Sequence, residues 1–301
     1  QAAIAAADAT DVDSAEELQA LVDSVNALNK IEAAAAADDA SGITVDDLND
    51  VAGVSGAIAD NLADYQAAIA AADATDVDSA AELQALVDSV NALNKIEAAA
   101  DADDASGITV DDINDVAGVS GAIAGNLVDY QTAIAAADPT DVDTAAELQA
   151  LVDSVNAANK IEAAADADDA SGITVADIND VAGVSGAIAD NLADYQAAIA
   201  AADANDVDSP EELQALVDSV NGVSKIEAAA DSDDASEITV DDINDVNGVS
   251  GAVADNLAGY QAAIAAADAA DVDTAAEIQA LVDSVNAANK IEAAAEADDA
   301  S

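Results

Sequence analysis

The chain has no cysteine, methionine, histidine, tryptophan or phenylalanine. Arginine is missing too. Its five basic residues are Lys30, Lys95, Lys160, Lys225 and Lys290, set against 64 acids for a formal charge of −59. Each absence excludes something. Without Cys or His, nucleophilic and general-base catalysis lose their usual players, and the hydroxyls recur at helix caps and loops, so no enzymatic activity is expected. Without a basic surface nothing neutralises phosphates, which argues against nucleic-acid partners and against anionic membranes. No apolar run approaches the roughly 20 residues that cross a bilayer, so no membrane insertion is expected in this segment. The missing cysteines leave the compartment open. Such acidity in a polar chain means disorder, yet 52% of these residues are hydrophobic, and the larger ones are periodic. Order is the expectation.

What is present is a repeat. Ser14, Ser79, Thr144, Ser209 and Thr274 stand 65 residues apart, each followed by Glu at the third position, the S/T-x-x-E of a capping box. Tyr65, Tyr130, Tyr195 and Tyr260 mark the same period, each followed by Gln. Counted from the tyrosines, the units are 1–65, 66–130, 131–195, 196–260 and a partial 261–301. Unit length is fixed while residues drift: Leu28, Leu93, Ala158, Val223 and Ala288 share one phase. Each unit then makes the same contacts with its neighbours. Gln1 sits in mid-helix register, one residue past the tyrosine position, so the chain reads as a segment of a longer repetitive protein.

After Ser79, Leu83, Leu86, Val90, Leu93 and Ile96 recur in steps of three and four, predicting a long amphipathic helix to about Ala100. Lys95 sits late in it, where a cation suits the helix dipole. Pro210 falls at the first helical position of its copy, where its missing N–H costs nothing. Thr109 with Asp112 is a second capping box, flanked by Ile108 and Ile113 at hydrophobic-staple spacing, for a short helix from Val110 to about Ala117 that Gly118 stops. Ser120 is the expected cap of a third helix, from about Gly121 to Ala137, with the stripe Ile123, Leu127, Tyr130 and Ile134. The fold class is therefore all-α, in tandem 65-residue three-helix repeats. They form either an extended rod of three-helix bundles or an α-solenoid in which the short and third helices lie end to end. The tyrosines read as core residues with the hydroxyl at the edge.

Two acidic loops are the candidate metal sites. The first is D-x-x-D-x-D: Asp73, Asp76 and Asp78, then Asp138, Asp141 and Asp143, with copies from Asp8, Asp203 and Asp268. Three carboxylates within six residues, with backbone carbonyls, form a hard oxygen set suited to calcium. The second runs Asp101, Asp103, Asp104, Gly107, Thr109, Asp112. It departs from an EF-hand loop at Ala105 and at Ser106, where glycine is required. In the fourth copy Glu237 replaces the glycine of Gly42, Gly107 and Gly172. The alternative role for these acids is helix capping and solubility.

Asp103 to Ala124 (DDASGITVDDINDVAGVSGAIA), Tyr130 to Asp138 (YQTAIAAAD) and Ala146 to Asn156 (AELQALVDSVN) resemble the tandem α-helical repeats of giant bacterial surface proteins. These are the large repetitive adhesins and biofilm-associated proteins of marine bacteria. The resemblance covers every unit. It implies an exported chain at the cell surface, with adhesive modules elsewhere, and supplies no functional residues. The expected function is a structural stalk, spacer or filament, with neighbouring repeats and further copies of the chain as partners. A tandem binding module that captures a host or matrix protein and an acidic calcium-binding protein are the alternatives.

Overall fold

The computed structural model describes residues 13–299; the Gln1 register, Asp8 and Asp11 lie outside them. Within the described residues every regular element is helical. Thirteen α-helices follow in order: α1 (Ala15–Ala35), α2 (Val45–Asn49), α3 (Leu62–Ala71), α4 (Ala80–Asp101), α5 (Val110–Asp115), α6 (Leu127–Ala136), α7 (Ala145–Asp166), α8 (Val175–Asp180), α9 (Leu192–Ala201), α10 (Pro210–Asp231), α11 (Val240–Asn244), α12 (Leu257–Ala265) and α13 (Ala275–Asp299). Short 3-10 turns precede each medium and each later long helix, as at Ala124–Asn126 and Pro139–Asp141. The chain divides into two compact units, 1–155 and 156–301.

Local chemistry sets the helix ends. Ser79 is extended (φ −129°, ψ 155°), and its hydroxyl accepts from the Glu82 amide while Glu82 reaches back. The box at Thr109 and Asp112 closes in the same way. Pro210 opens α10 at its first position, with Ser209 accepting from the Glu212 amide. At the other end, Asp103 takes the left-handed conformation (φ 51°), as do Asp38, Asp168 and Asp233. The Asp104 amide donates to Ala99 O at 3.0 Å and the Asp103 amide to Ala100 O at 3.1 Å. That is a Schellman stop with aspartate where glycine is usual.

Packing groups these elements into cores that are out of phase with the tyrosine count. In the first unit one core joins Ile31 and Ala35 of α1, Leu48 of α2, Tyr65 and Ile69 of α3, and Leu83 and Val87 of α4. The next joins Ala92, Ile96, Ala99 and Ala100 of the same α4, Ile113 of α5, Tyr130 and Ile134 of α6, and Leu148 and Val152 of α7. Helix α4 thus closes one core with its N-terminal half and opens the next with its C-terminal half. In the second unit α10 does the same, with Leu213 and Val217 in one core and Ile226, Ala229 and Ala230 in the next. Each of these two long helices is shared by two cores. The stripe shifts accordingly: Val87 is fully buried, whereas Leu86, Val90 and Leu93 are half-buried at the core margins.

The third helix begins later than the pattern predicts. Ser120 caps nothing, because Gly118 (φ +93°) and Gly121 (φ +83°) hold the loop in left-handed turns that no helix can enter. The helix forms at Leu127, and Ile123 is 53% exposed in the loop before it. The short and third helices are therefore separated by an irregular segment.

Candidate functional site

Each glycine-rich loop is held by polar side chains from the helices around it. Residues 52–58 (AGVSGAI) show the full set. Asn49, at the end of α2, donates from Nδ2 to Ala57 O at 3.0 Å and accepts from the Ala57 amide at 3.3 Å. Gln84 of α4 accepts from the Ser55 amide at 2.7 Å and donates to Ser55 O at 3.1 Å. Asn91, two helical turns along the same face, donates to Gly56 O at 3.0 Å. Ser24 of α1 accepts from the Ala52 amide at 2.8 Å. An irregular segment has no ladder to satisfy its amides and carbonyls, and here side-chain amides supply the partners.

The fully buried Tyr65 completes the lattice. Its hydroxyl donates to Asn91 Oδ1 and accepts from the Ile58 amide at 3.3 Å. Asn61 Nδ2 donates to the same Asn91 oxygen at 2.9 Å. The second unit repeats the pattern with Asn179 on Ala187, Gln214 on Ser185, and Asn221 on Gly186, Tyr195 and Asn191. Among the described residues no buried side-chain polar atom lacks a partner. Amides and phenols with filled partners position backbone.

A second recurring cluster is ionic. Asp112 Oδ2 accepts from the Thr109 amide at 2.7 Å, the Thr109 hydroxyl at 2.6 Å and Lys95 Nζ at 2.6 Å. Burial pushes the Asp112 carboxyl up, but the hydrogen bonds from Lys95 and Thr109 outweigh it and hold the group below its ordinary value. Lys30 pairs with Asp47, Lys160 with Asp177 and Lys225 with Asp242 in the same way.

The predicted calcium ligands are placed separately. Asp138 accepts from the Thr140 amide at 3.0 Å and its hydroxyl at 2.7 Å, which caps the 3-10 turn Pro139–Asp141. Asp73 starts the corresponding turn through its carbonyl, which accepts from the Asp76 amide at 2.8 Å. Asp143 shares a hydrogen bond with Glu147, which raises its carboxyl, and Asp78 is raised by the nearby charge of Glu82. Asp73, Asp76, Asp78, Asp138, Asp141 and Asp143 are all exposed. Among the described residues no three carboxylates gather closely enough to hold a metal ion. The second acidic loop divides between the Schellman stop at Asp103, a turn in which Asp104 accepts from the Ser106 amide at 3.0 Å, and the Asp112 cluster.

No helix among the described residues is long and apolar enough to cross a membrane. Compared with protein families, curated proteins and solved structures, the chain matches none. The functional reading therefore rests on its own geometry. Sequence reasoning missed the lattice, although a signal was present. Asn49, Asn114, Asn179 and Asn244 recur unchanged, as do Gln84, Gln149, Gln214 and Gln279, while apolar neighbours such as Leu93 and Ala158 drift.

Proposed function

We propose that this chain is a structural, non-enzymatic repeat protein, serving as a stalk, spacer or filament at the surface of a bacterial cell. The observation that carries the reading is the sharing of α4 and of α10 between successive cores. Unbroken helix, and not a flexible linker, joins one core to the next in each case. A pull on the chain then meets packed side chains before it meets loose backbone.

Three further features support it. Among the described residues the recurring polar side chains hold the glycine-rich loops in place. The acidic surface suits a chain in high salt, where self-repulsion is screened. The sequence phrases resemble repeats of large bacterial surface adhesins, and that resemblance supports a location outside the cell, with other repeats of its kind as partners.

Small-angle X-ray scattering on this chain, and on versions lengthened by whole 65-residue repeats, tests the proposal. The measurement belongs at high salt over a concentration series, with calcium and with chelator. The maximum dimension is expected to grow in proportion to repeat number. Growth of mass with concentration assigns a filament of several chains, and constant mass assigns a single-chain stalk. A compact particle whose longest dimension barely changes with added repeats would overturn the reading.

A further inference from the structure

Asparagine precedes glycine at two places, Asn221–Gly222 and Asn247–Gly248, and the fold treats them in opposite ways. Asn221 lies inside α10 with both ends of its side chain engaged. Nδ2 donates to Gly186 O at 3.0 Å, and Oδ1 accepts from the Tyr195 hydroxyl at 2.5 Å and from Asn191 Nδ2 at 2.9 Å. Gly222 is packed so closely that an added Cβ would meet Asp242 O at 2.8 Å.

Asn247 is exposed, in the loop that follows α11. Its backbone amide donates to Ser219 Oγ at 2.9 Å, but among the described residues its side chain makes no hydrogen bond, and the Gly248 amide donates none. Gly248 is exposed too, at φ +89°. The other copies carry Ala52, Ala117 and Ala182 at this place, so the labile pair occurs in one loop alone.

We propose that Asn247 is a site of spontaneous deamidation, and that Asn221 is protected by the fold. The Gly248 nitrogen attacks Asn247 Cγ and forms a new C–N bond. The bond from Cγ to the side-chain nitrogen breaks, and that nitrogen leaves as ammonia with the proton lost from Gly248. The cyclic imide then takes up one water and opens at either carbonyl, giving aspartate or isoaspartate with no change of oxidation state. A glycine in second place leaves the attacking nitrogen uncrowded, since no Cβ stands beside it.

The consequence is local. Isoaspartate adds one carbon to the backbone between Val246 and Val249, both buried in the last core. Their turn closes through the Val249 amide on Val246 O at 2.9 Å. The longer linkage works against that closure and against the Ser219 contact.

The test is to age the intact folded chain in mildly alkaline buffer and map its peptides by mass spectrometry that separates isoaspartate from aspartate. Asn247 is expected to convert at least about tenfold faster than Asn221. Reaction at Asn221 needs local opening of α10, and each ~1.4 kcal/mol of opening cost is tenfold in rate. In denaturant the two rates should converge. The Asn247→Ala variant, which carries the residue of the other copies, should abolish the fast phase and keep the slow one. Equal rates in the folded chain, or a fast phase that survives Asn247→Ala, would overturn the proposal.

Discussion

Lys95 Nζ and Asp112 Oδ2 lie 2.6 Å apart, and the same carboxylate oxygen caps α5 through both donors of Thr109. Helix α4 runs on to Asp101 and has no basic residue in its last turn, so Lys95 does not serve the helix dipole as its position in the sequence suggests. It ties the long helix to the first turn of the short one. Removing the acid removes a cap and a pair, whereas removing the cation removes a half-exposed pair alone. Asp112→Ala is expected to cost about 1–2 kcal/mol, and Lys95→Ala less than about 1 kcal/mol. Denaturant unfolding of both single variants and the double variant checks this. Equal losses from the two single changes would show that the ion pair, and not the cap, dominates.

The aspartate that precedes each later long helix points the other way in pH, while its partner glutamate at Glu82, Glu147 and Glu277 is held low. Asp143 is raised in the folded state by its hydrogen bond to Glu147. A raised carboxyl favours folding in its protonated form, so its contribution is full below the unfolded value and is lost as pH rises through the folded one. Asp112, held low, contributes above the ordinary carboxylate range and loses that contribution as pH falls through its folded value. Asp143→Asn is thus expected to raise the thermal midpoint at neutral pH and to leave it unchanged in acid. Asp112→Asn should lower it at neutral pH and do less in acid. Melting curves from neutral to acid pH on both variants separate the two signs.

Tyr65→Phe keeps the ring and removes the hydroxyl that joins Asn91 to the Ile58 amide. A donor in a half-buried loop then loses its partner, at an expected cost of about 1–3 kcal/mol. Amide hydrogen exchange should report faster opening of α3 and of the residues 52–58 loop. Unchanged protection there would mean that the hydroxyl contributes little beside the buried ring.

Gly222 stands where Ala27, Ala92 and Ala157 stand in other repeats. On propensity alone, Gly222→Ala would stabilise α10 by about 1 kcal/mol. The new methyl would sit 2.8 Å from Asp242 O and 3.0 Å from Val246 Cγ2, and overpacking of this kind costs about 1–3 kcal/mol. The backbone carbonyl cannot swing aside as a side chain can. The expected net effect is neutral to destabilising, read by denaturant midpoint, and a gain of a full kilocalorie would show that α10 and α11 can separate freely.

Capping boxes, apolar steps and the 65-residue period were legible because each depends on residues within a few positions of one another. Ser79 with Glu82 and Thr109 with Asp112 behave as local chemistry dictates. The later start of the third helix was not legible. Ser120 carries a capping residue type, but its amide is taken by Gln149, 29 residues away. The same holds for Asn91 and Tyr65, which meet across 26 residues. The division of α4 between two cores was hidden for a related reason. Leu83 and Ile96 lie on a single stripe, and a stripe does not say which neighbour covers each half. The candidate calcium ligands were legible as a spacing, but their placement was not. Carboxylates close in sequence point into water from a turn, and some serve that turn as caps.

Because α4 and α10 each belong to two cores, no core of such a pair is an independent thermodynamic element. Unravelling one strips half a helix from its neighbour, so the boundary between folded and unfolded chain carries its own free-energy cost. That is the nearest-neighbour coupling of a one-dimensional Ising chain. Melting should then become steeper as repeats are added, and a destabilising substitution should be felt most in the two cores that flank it.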